Sequence, residues 1–187
     1  MHQHLSTSDY KTMPWANGLG KTVEILRCND SEGKLLWRLS MAAVTEDGPF
    51  SIFADLERNL TVISGEGFDL IEDKSGVKHS AAFLTPVAFS GDTPISAKNV
   101  KPPCHDFNVI TSASLPKPKV WIVNTSDQKT IEGVQLALFA LSESTLTTAE
   151  ETFKLKTHEL LLCEESVELK SGQLICVAFD AEYLTAN

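Results

Sequence analysis

Basic charge is scarce in this chain. Lys and Arg number 16 against 25 Asp and Glu over 187 residues, a net charge of −9. Duplex nucleic acid is held by basic patches that displace counterions, so this balance argues against a nucleic-acid partner. It argues equally against adsorption to anionic lipid. Aromatic residues make up only 7% of the chain, too few for a stacking platform that grips single strands. No apolar run approaches the roughly 20 residues that span a bilayer. The first residues, MHQHLSTSDYKTM, have neither the basic nor the apolar region of a signal peptide. The expectation is a cytoplasmic protein with no membrane contact.

Metal and nucleophile chemistry are also thinly provided for. Cys28, Cys104, Cys163 and Cys176 include no C-x-x-C pair, which excludes a zinc knuckle and a disulfide framework and leaves buried free thiols. His79, His105 and His158 stand apart, while His2 and His4 fall in a terminus expected to fray. No histidine has a carboxylate at ligand spacing, so no metal and no cofactor is assigned. A G-x-S-x-G elbow is absent, and no Ser or Cys has an evident base, so no catalytic residue is assigned either.

What the chain does contain is strands. Thr22–Arg27, Leu35–Val44, Leu60–Glu72, Ala82–Phe89, Ile95–Val100, Asp106–Thr111, Val120–Asn124, Val134–Leu141, Phe153–Cys163 and Leu174–Phe179 are rich in β-branched or aromatic residues. Turn clusters such as Glu46-Asp47-Gly48-Pro49 and Ser90-Gly91-Asp92 separate them. Many short strands at regular spacing predict an all-β sandwich or barrel. The small, proline-containing run 112–119, SASLPKPK, reads as a connection between an N-terminal half, 1–111, and a C-terminal half, 120–187.

Asn17-Gly18-Leu19-Gly20-Lys21-Thr22 ends like a phosphate-binding loop, but Trp15 stands where that motif needs glycine and β-like residues follow it. Nucleotide binding through this motif is therefore rejected. The loop instead offers an aromatic, Trp15, and an amide, Asn17, near two glycines. Three strands carry polar pairs at the two-residue spacing that puts both side chains on one face: Thr22 with Glu24, Arg38 with Ser40, and Asp106 with Asn108. A guanidinium in the middle of an apolar strand must reach water, a carboxylate or a wet cavity, and Asp106 is available as a partner for Arg38. These stripes are either the solvated face of an antiparallel sheet or the walls of one pocket.

Several motifs then recur in order: Met13-Pro14-Trp15-x-Asn17-Gly18-x-Gly20, Trp37-Arg38-x-Ser40, Gly48-Pro49-Phe50-Ser51, Arg58-x-Leu60-x-x-Ile63-x-Gly65-x-Gly67-Phe68, Pro86-x-x-Phe89-x-Gly91-Asp92 and Asp106-Phe107-Asn108-Val109. Together they resemble the HutD/Ves family. The resemblance covers well over half the chain, Met13–Ile110. It implies a cupin-like double-stranded β-helix, a jelly-roll barrel, duplicated and partly degenerate in its C-terminal half. It also implies a bacterial, cytoplasmic protein tied to histidine utilisation or to a stress response. Gly65–Leu70 is similar to the first cupin motif without its H-x-H, and the region around Gly91 lacks the second motif's histidine. The implied barrel keeps its pocket and loses its metal.

On that reading the protein is a metal-free, regulatory binder of a small acidic or amide metabolite. Arg38 would hold a ligand carboxylate. Asp106 and Glu24 would orient it, Asn17, Thr22, Ser40 and Asn108 would supply neutral polar contacts, and Trp15 would close the mouth. One alternative is a cofactor-independent isomerase or epimerase using His105, Glu24 or Asp106. Another is an interaction module, with exposed strand edges pairing two copies into a homodimer.

Overall fold

A computed structural model describes residues 2–14, 21–126 and 130–185. Its strands, in chain order, are β1 (His2–Leu5), β2 (Lys11–Pro14), β3 (Lys21–Asn29), β4 (Leu35–Val44), β5 (Gly48–Pro49), β6 (Leu56–Ser64), β7 (Phe68–Glu72), β8 (Lys78–Ala81), β9 (Val87–Ser90) and β10 (Ile95–Lys98). They continue as β11 (Cys104–Ser112), β12 (Lys119–Asn124), β13 (Thr130–Ile131), β14 (Gln135–Ala140), β15 (Ser144–Thr147), β16 (Thr152–Leu155), β17 (Leu160–Cys163), β18 (Val167–Ser171) and β19 (Gln173–Phe179). Among the described residues no helix is long and apolar enough to cross a membrane.

The chain divides into two compact units. Lys11–Leu115 forms one, and the described residues up to Tyr10 join those from Pro116 onward in the other. In the first, a six-stranded sheet runs β2-β3-β4-β11-β6-β9 and a four-stranded sheet β5-β10-β7-β8. In the second, the orders are β1-β17-β14-β19-β12 and β13-β18-β15-β16. Set aside the flanking β1, β2 and β3, and the second pair repeats the first with every strand eight places later in the chain. This is a double-stranded β-helix made twice. The sheets of each unit stay separate ladders rather than closing into one barrel. No residue-level repeat accompanies the duplication, because the topology needs only apolar alternation and turns in the same order, not identical side chains.

Two predicted long strands are each broken in two, and backbone geometry gives the reason. Leu60–Glu72 divides into β6 and β7 at Gly65 and Gly67, whose φ values of 91° and 89° lie in the left-handed region that side chains oppose. Phe153–Cys163 divides into β16 and β17, with His158 at φ 70° in the turn. The first unit packs Leu60, Val62, Phe68, Leu70, Ala81 and Ile95 into one core. The second packs Leu136, Leu138, Leu146, Leu161, Leu169 and Leu174.

The N-terminal segment is not frayed. β1 pairs antiparallel with β17, His2 opposite Cys163 and Leu5 opposite Leu160. His2 and His4 share one face of β1 by strand alternation; His2 Nε2 meets the Glu165 carboxylate, and His4 Nε2 lies 2.9 Å from Glu159 Oε2. This pairing ties the first residues to the C-terminal half rather than to residues 11–111. Burial acts to raise Glu159, but the Lys156 backbone N–H and His4 outweigh it and hold the carboxyl below its ordinary range. Because that carboxyl is depressed in the folded protein, its contribution is present above the ordinary carboxylate range and fades as the solution is acidified. His4→Ala is expected to cost about 1 kcal/mol in urea unfolding at neutral pH.

Candidate functional site

The chemistry-bearing side chains gather in the first unit, on the inner face of β4, β11 and β6. Register explains how. Arg38 on β4 and Arg58 on β6 both stand opposite Ile110 of β11, so the two guanidiniums flank one residue from either side. One step down the same face, Asn108 stands between Ser40 and Leu60. A further step down, Asp106 stands between Ala42 and Val62, with Thr22 opposite Ala42 on β3. The rows border a cavity of about 620 Å³, whose lining includes Thr22, Arg38, Ser40, Arg58, Asp106 and Asn108. Ser40, Asp106, Asn108 and Arg58 are all buried, so these stripes are not the solvated face of a sheet.

The segment after β5 roofs Arg58. Phe53 N donates to Gly91 O at 2.9 Å, and Gly91 N donates to Leu56 O at 2.7 Å. A side chain at position 91 would bring its Cβ to 2.5 Å from Phe53 O, so only glycine lets this segment lie so close. The Arg58 guanidinium carbon sits 5.1 Å from the Phe50 ring centre, 5.2 Å from that of Phe53 and 5.0 Å from that of Phe89. Arg38 lies 5.5 Å from the Phe53 ring centre. Aromatic faces attract a guanidinium through the ring quadrupole and offset part of its desolvation.

A relay links Arg58 to Asp106. Arg58 Nη2 donates to Asn108 Oδ1 at 3.2 Å, and Asn108 Nδ2 donates to Asp106 Oδ1 at 2.7 Å. A carboxylate accepts and a guanidinium donates, so the two partners together fix which way the Asn108 amide points. Arg58 Nη1 donates to Ser51 O at 3.3 Å. The Nε–H groups of Arg58 and Arg38 are buried with no acceptor among the described residues.

Electrostatics follow from this placement. Burial pushes the Asp106 carboxyl up to about 7, although Arg58, Asn108 and backbone N–H groups, that of Ala42 included, favour its ionised form. Burial also draws Arg58 down to about 10; Asp106 opposes that shift and Arg38 adds to it. For Arg38 burial again lowers the value, with Glu24 opposing and Arg27 reinforcing. Both guanidiniums stay charged at neutral pH. In a protein of net charge −9, the cavity floor is thus locally cationic.

Measured against expectation, Thr22, Arg38, Ser40, Asp106 and Asn108 do meet in one cavity. Glu24 lies beside it rather than in its lining: it is buried, 3.8 Å from Arg27 Nη1, and its charge acts on Arg38. Trp15 and Asn17 lie outside the described residues. Of the two carboxylates expected to orient Arg38, Glu24 acts on it by charge, whereas Asp106 is served by Arg58 through Asn108. His105 is exposed, with Nδ1 2.9 Å from Ser64 Oγ, and does not line the cavity. Arg58, Phe50 and Phe53 are the members that the strand-by-strand reading passed over. Alternation places Arg58 on the face of Leu60 and Val62, the same signal that singled out Arg38.

Cupin folds commonly hold a metal, and these donors do not suit one. Among the described residues the cavity lining contains neither His nor Cys, its innermost carboxyl is Asp106, and two guanidiniums would repel a cation. Among the described residues no group of three or more His, Cys, Asp or Glu could hold a metal ion.

Fold and site define a class: a duplicated, cupin-like double-stranded β-helix with an arginine-floored cavity. The same fold recurs at 9% identity in Bacillus subtilis oxalate decarboxylase, with a TM-score of 0.59. The chain belongs to the HutD family, associated with histidine utilisation, whose model matches residues 7–176. It is 34% identical over 171 residues to an uncharacterised 21.2 kDa protein from the hutC 3′ region of Pseudomonas putida, covering 89% of each chain. Among solved structures it is similar to a conserved protein of unknown function from Pseudomonas aeruginosa PAO1, at 26% identity and a TM-score of 0.83, covering 97% of this chain and all of that one. It is also similar to HutD from Pseudomonas fluorescens SBW25, described in a formate condition, at 27% identity and a TM-score of 0.80 over 97% of this chain and all of that one.

Proposed function

We propose that the protein is a metal-free binder of a small carboxylate metabolite, with a regulatory role in histidine utilisation. The observation that carries this reading is the pair of guanidiniums beside a 620 Å³ cavity, each with a buried Nε–H that has no acceptor among the described residues. A buried donor without a partner costs roughly 1–3 kcal/mol, and a planar carboxylate supplies the missing acceptors in the geometry a guanidinium prefers. Ser40, Thr22 and Asn108 offer neutral hydrogen bonds to the remainder of such a molecule. The volume suits a ligand of a few to a dozen or so heavy atoms, with apolar lining from Ala42, Val44, Ala97 and Ile110. The family's link to histidine utilisation directs attention to imidazole acids and formamido acids. The formate condition named for the P. fluorescens relative makes formate the smallest probe of the same chemistry.

The test is calorimetry and thermal unfolding with formate, an imidazole acid, a formamido acid and their amides, each in chloride-free buffer. Carboxylates are expected to bind and raise Tm, and the corresponding amides to bind at least tenfold more weakly, since they lack the charge. Equal responses to acid and amide, or no response to any acid, would remove the basis for this reading.

A further inference from the structure

Resting on the carboxylate-binding reading, we infer that the cavity takes up its anion together with one proton, and that Asp106, reached through Asn108, is the group that receives it. The geometry is specific. Asp106 is 1% exposed, and its only side-chain hydrogen-bond partner among the described residues is Asn108. The other side of the same amide accepts from Arg58. Arg58 is thus the charge that keeps Asp106 ionised, and it is also the charge an entering carboxylate would neutralise. An anion seated on Arg58 removes the attraction that offsets the burial of Asp106, and it places a like charge nearby. Both effects favour the neutral acid. Free Asp106 already sits at about 7, so a modest further push changes its state at neutral pH.

Among the described residues no competing proton acceptor lies on that face. From β4 and β3, Asp106 faces Ala42, Ser40 and Thr22; from β6, Val62 and Arg58; from β10, Ala97. Arg38 lies farther along β4, with Glu24 acting on it from β3. Glu46 and Asp47 stand at the cavity rim, exposed to water. His105 is exposed beside Ser64. The proton balance is simple. One carboxylate enters, one proton moves from solvent to an Asp106 oxygen, and no bond of the ligand changes. Asp106 would then set specificity as well: with it neutral, the two guanidiniums face a ligand monoanion and the Glu24 charge beside Arg38.

Formate is the probe, because it stays ionised throughout pH 5.5–8.5, a window chosen to bracket about 7. Its dissociation constant is measured by thermal shift and NMR titration across that window, in chloride-free buffer. Net proton uptake is followed in parallel in weakly buffered solution. The expected wild-type result is a nearly constant Kd below pH 7, rising about tenfold per unit at the alkaline end, with proton uptake approaching one per formate there. Asp106→Asn is expected to bind with a Kd independent of pH and with no uptake. A wild-type Kd that is flat across the window with no proton uptake overturns the inference while leaving carboxylate binding intact. The same slope in Asp106→Asn assigns the proton elsewhere and also overturns it. Failure of formate and every other acid to bind at any pH removes both this inference and the reading beneath it. Should Asp106→Asn not fold, the aspartate carboxyl carbon resonances of the wild type decide: one that titrates at about 7 without formate must titrate at higher pH with it, and none that does so overturns the assignment.

Discussion

Replacing Arg58 with methionine is expected to weaken formate and every other carboxylate by more than about a hundredfold, while the protein still folds. The loss follows from removing a charged, aromatic-boxed donor: truncating one side of a buried ionic contact costs about 3 kcal/mol in binding. Retention of the fold follows from the neighbours. Phe50, Phe53 and Phe89 surround the guanidinium, and a thioether of similar length packs well among aromatic rings. Removing one partner of a buried ion pair is costly when it strands the other charge, but at pH 5 Asp106 is already neutral and no such charge is left. The remaining partner decides the pH dependence. Asp106 is raised from 3.8 to about 7 in the folded protein, so the folded state holds its proton more tightly than the unfolded chain does. Wild-type stability therefore declines from this group as pH rises from about 4 to about 7, and not beyond. Without Arg58 the carboxyl is pushed higher still, and the decline continues into alkaline solution. Urea unfolding should find Arg58→Met close to wild type at pH 5 and progressively weaker than wild type above about 7. A deficit of equal size at every pH would mean that Arg58 is not the counter-charge of Asp106.

This expectation concerns a residue that the polar stripes did not single out, and the reason is physical. Period-two alternation sorts residues between faces within a strand, as it does for Arg38 with Ser40 and Asp106 with Asn108, and leaves open whether the stripes of different strands meet. It carries nothing about register between strands distant in sequence. Arg38 stands opposite Ile110, whereas Asp106 stands opposite Ala42. Four residues of strand separate those levels, about 13 Å at the usual rise. Arg58 stands at the same level as Arg38 and reaches Asp106 only through Asn108, so what alternation could not show is which of the two guanidiniums that amide serves. Arg58 carried the same signal as Arg38, an isolated cation on an apolar face, but it lies outside the predicted strand, which begins at Leu60. Phe50 and Phe53 lie in irregular chain, and their position depends on the close approach at Gly91. Composition offers no sign of that contact. The duplication was legible only as family resemblance, since the two units share strand order and not sequence.

Asn108 offers the sharper test of the relay, because its two ends make opposite demands. Leucine at this position fills nearly the same volume and can neither accept from Arg58 nor donate to Asp106. Arg58 Nη2 and a buried carboxyl are then left without their shared partner. Each such group costs on the order of 1–3 kcal/mol, so Asn108→Leu should lose about 3 kcal/mol at pH 8, and less at pH 5, where Asp106 is already neutral. Aspartate separates the two demands. It keeps an oxygen for Arg58 but sets a second carboxyl beside Asp106, and two such groups hold a shared proton readily and a double negative charge poorly. Asn108→Asp should therefore approach wild-type stability at pH 5, where the shared proton stands in for the lost amide N–H, and fall below Asn108→Leu as solution becomes alkaline. The Asn108→Leu deficit is what reports a donor aimed at Asp106, because a carboxyl buried at position 108 would titrate in any surroundings. If Asn108 merely filled space, Asn108→Leu would lose the same amount at every pH.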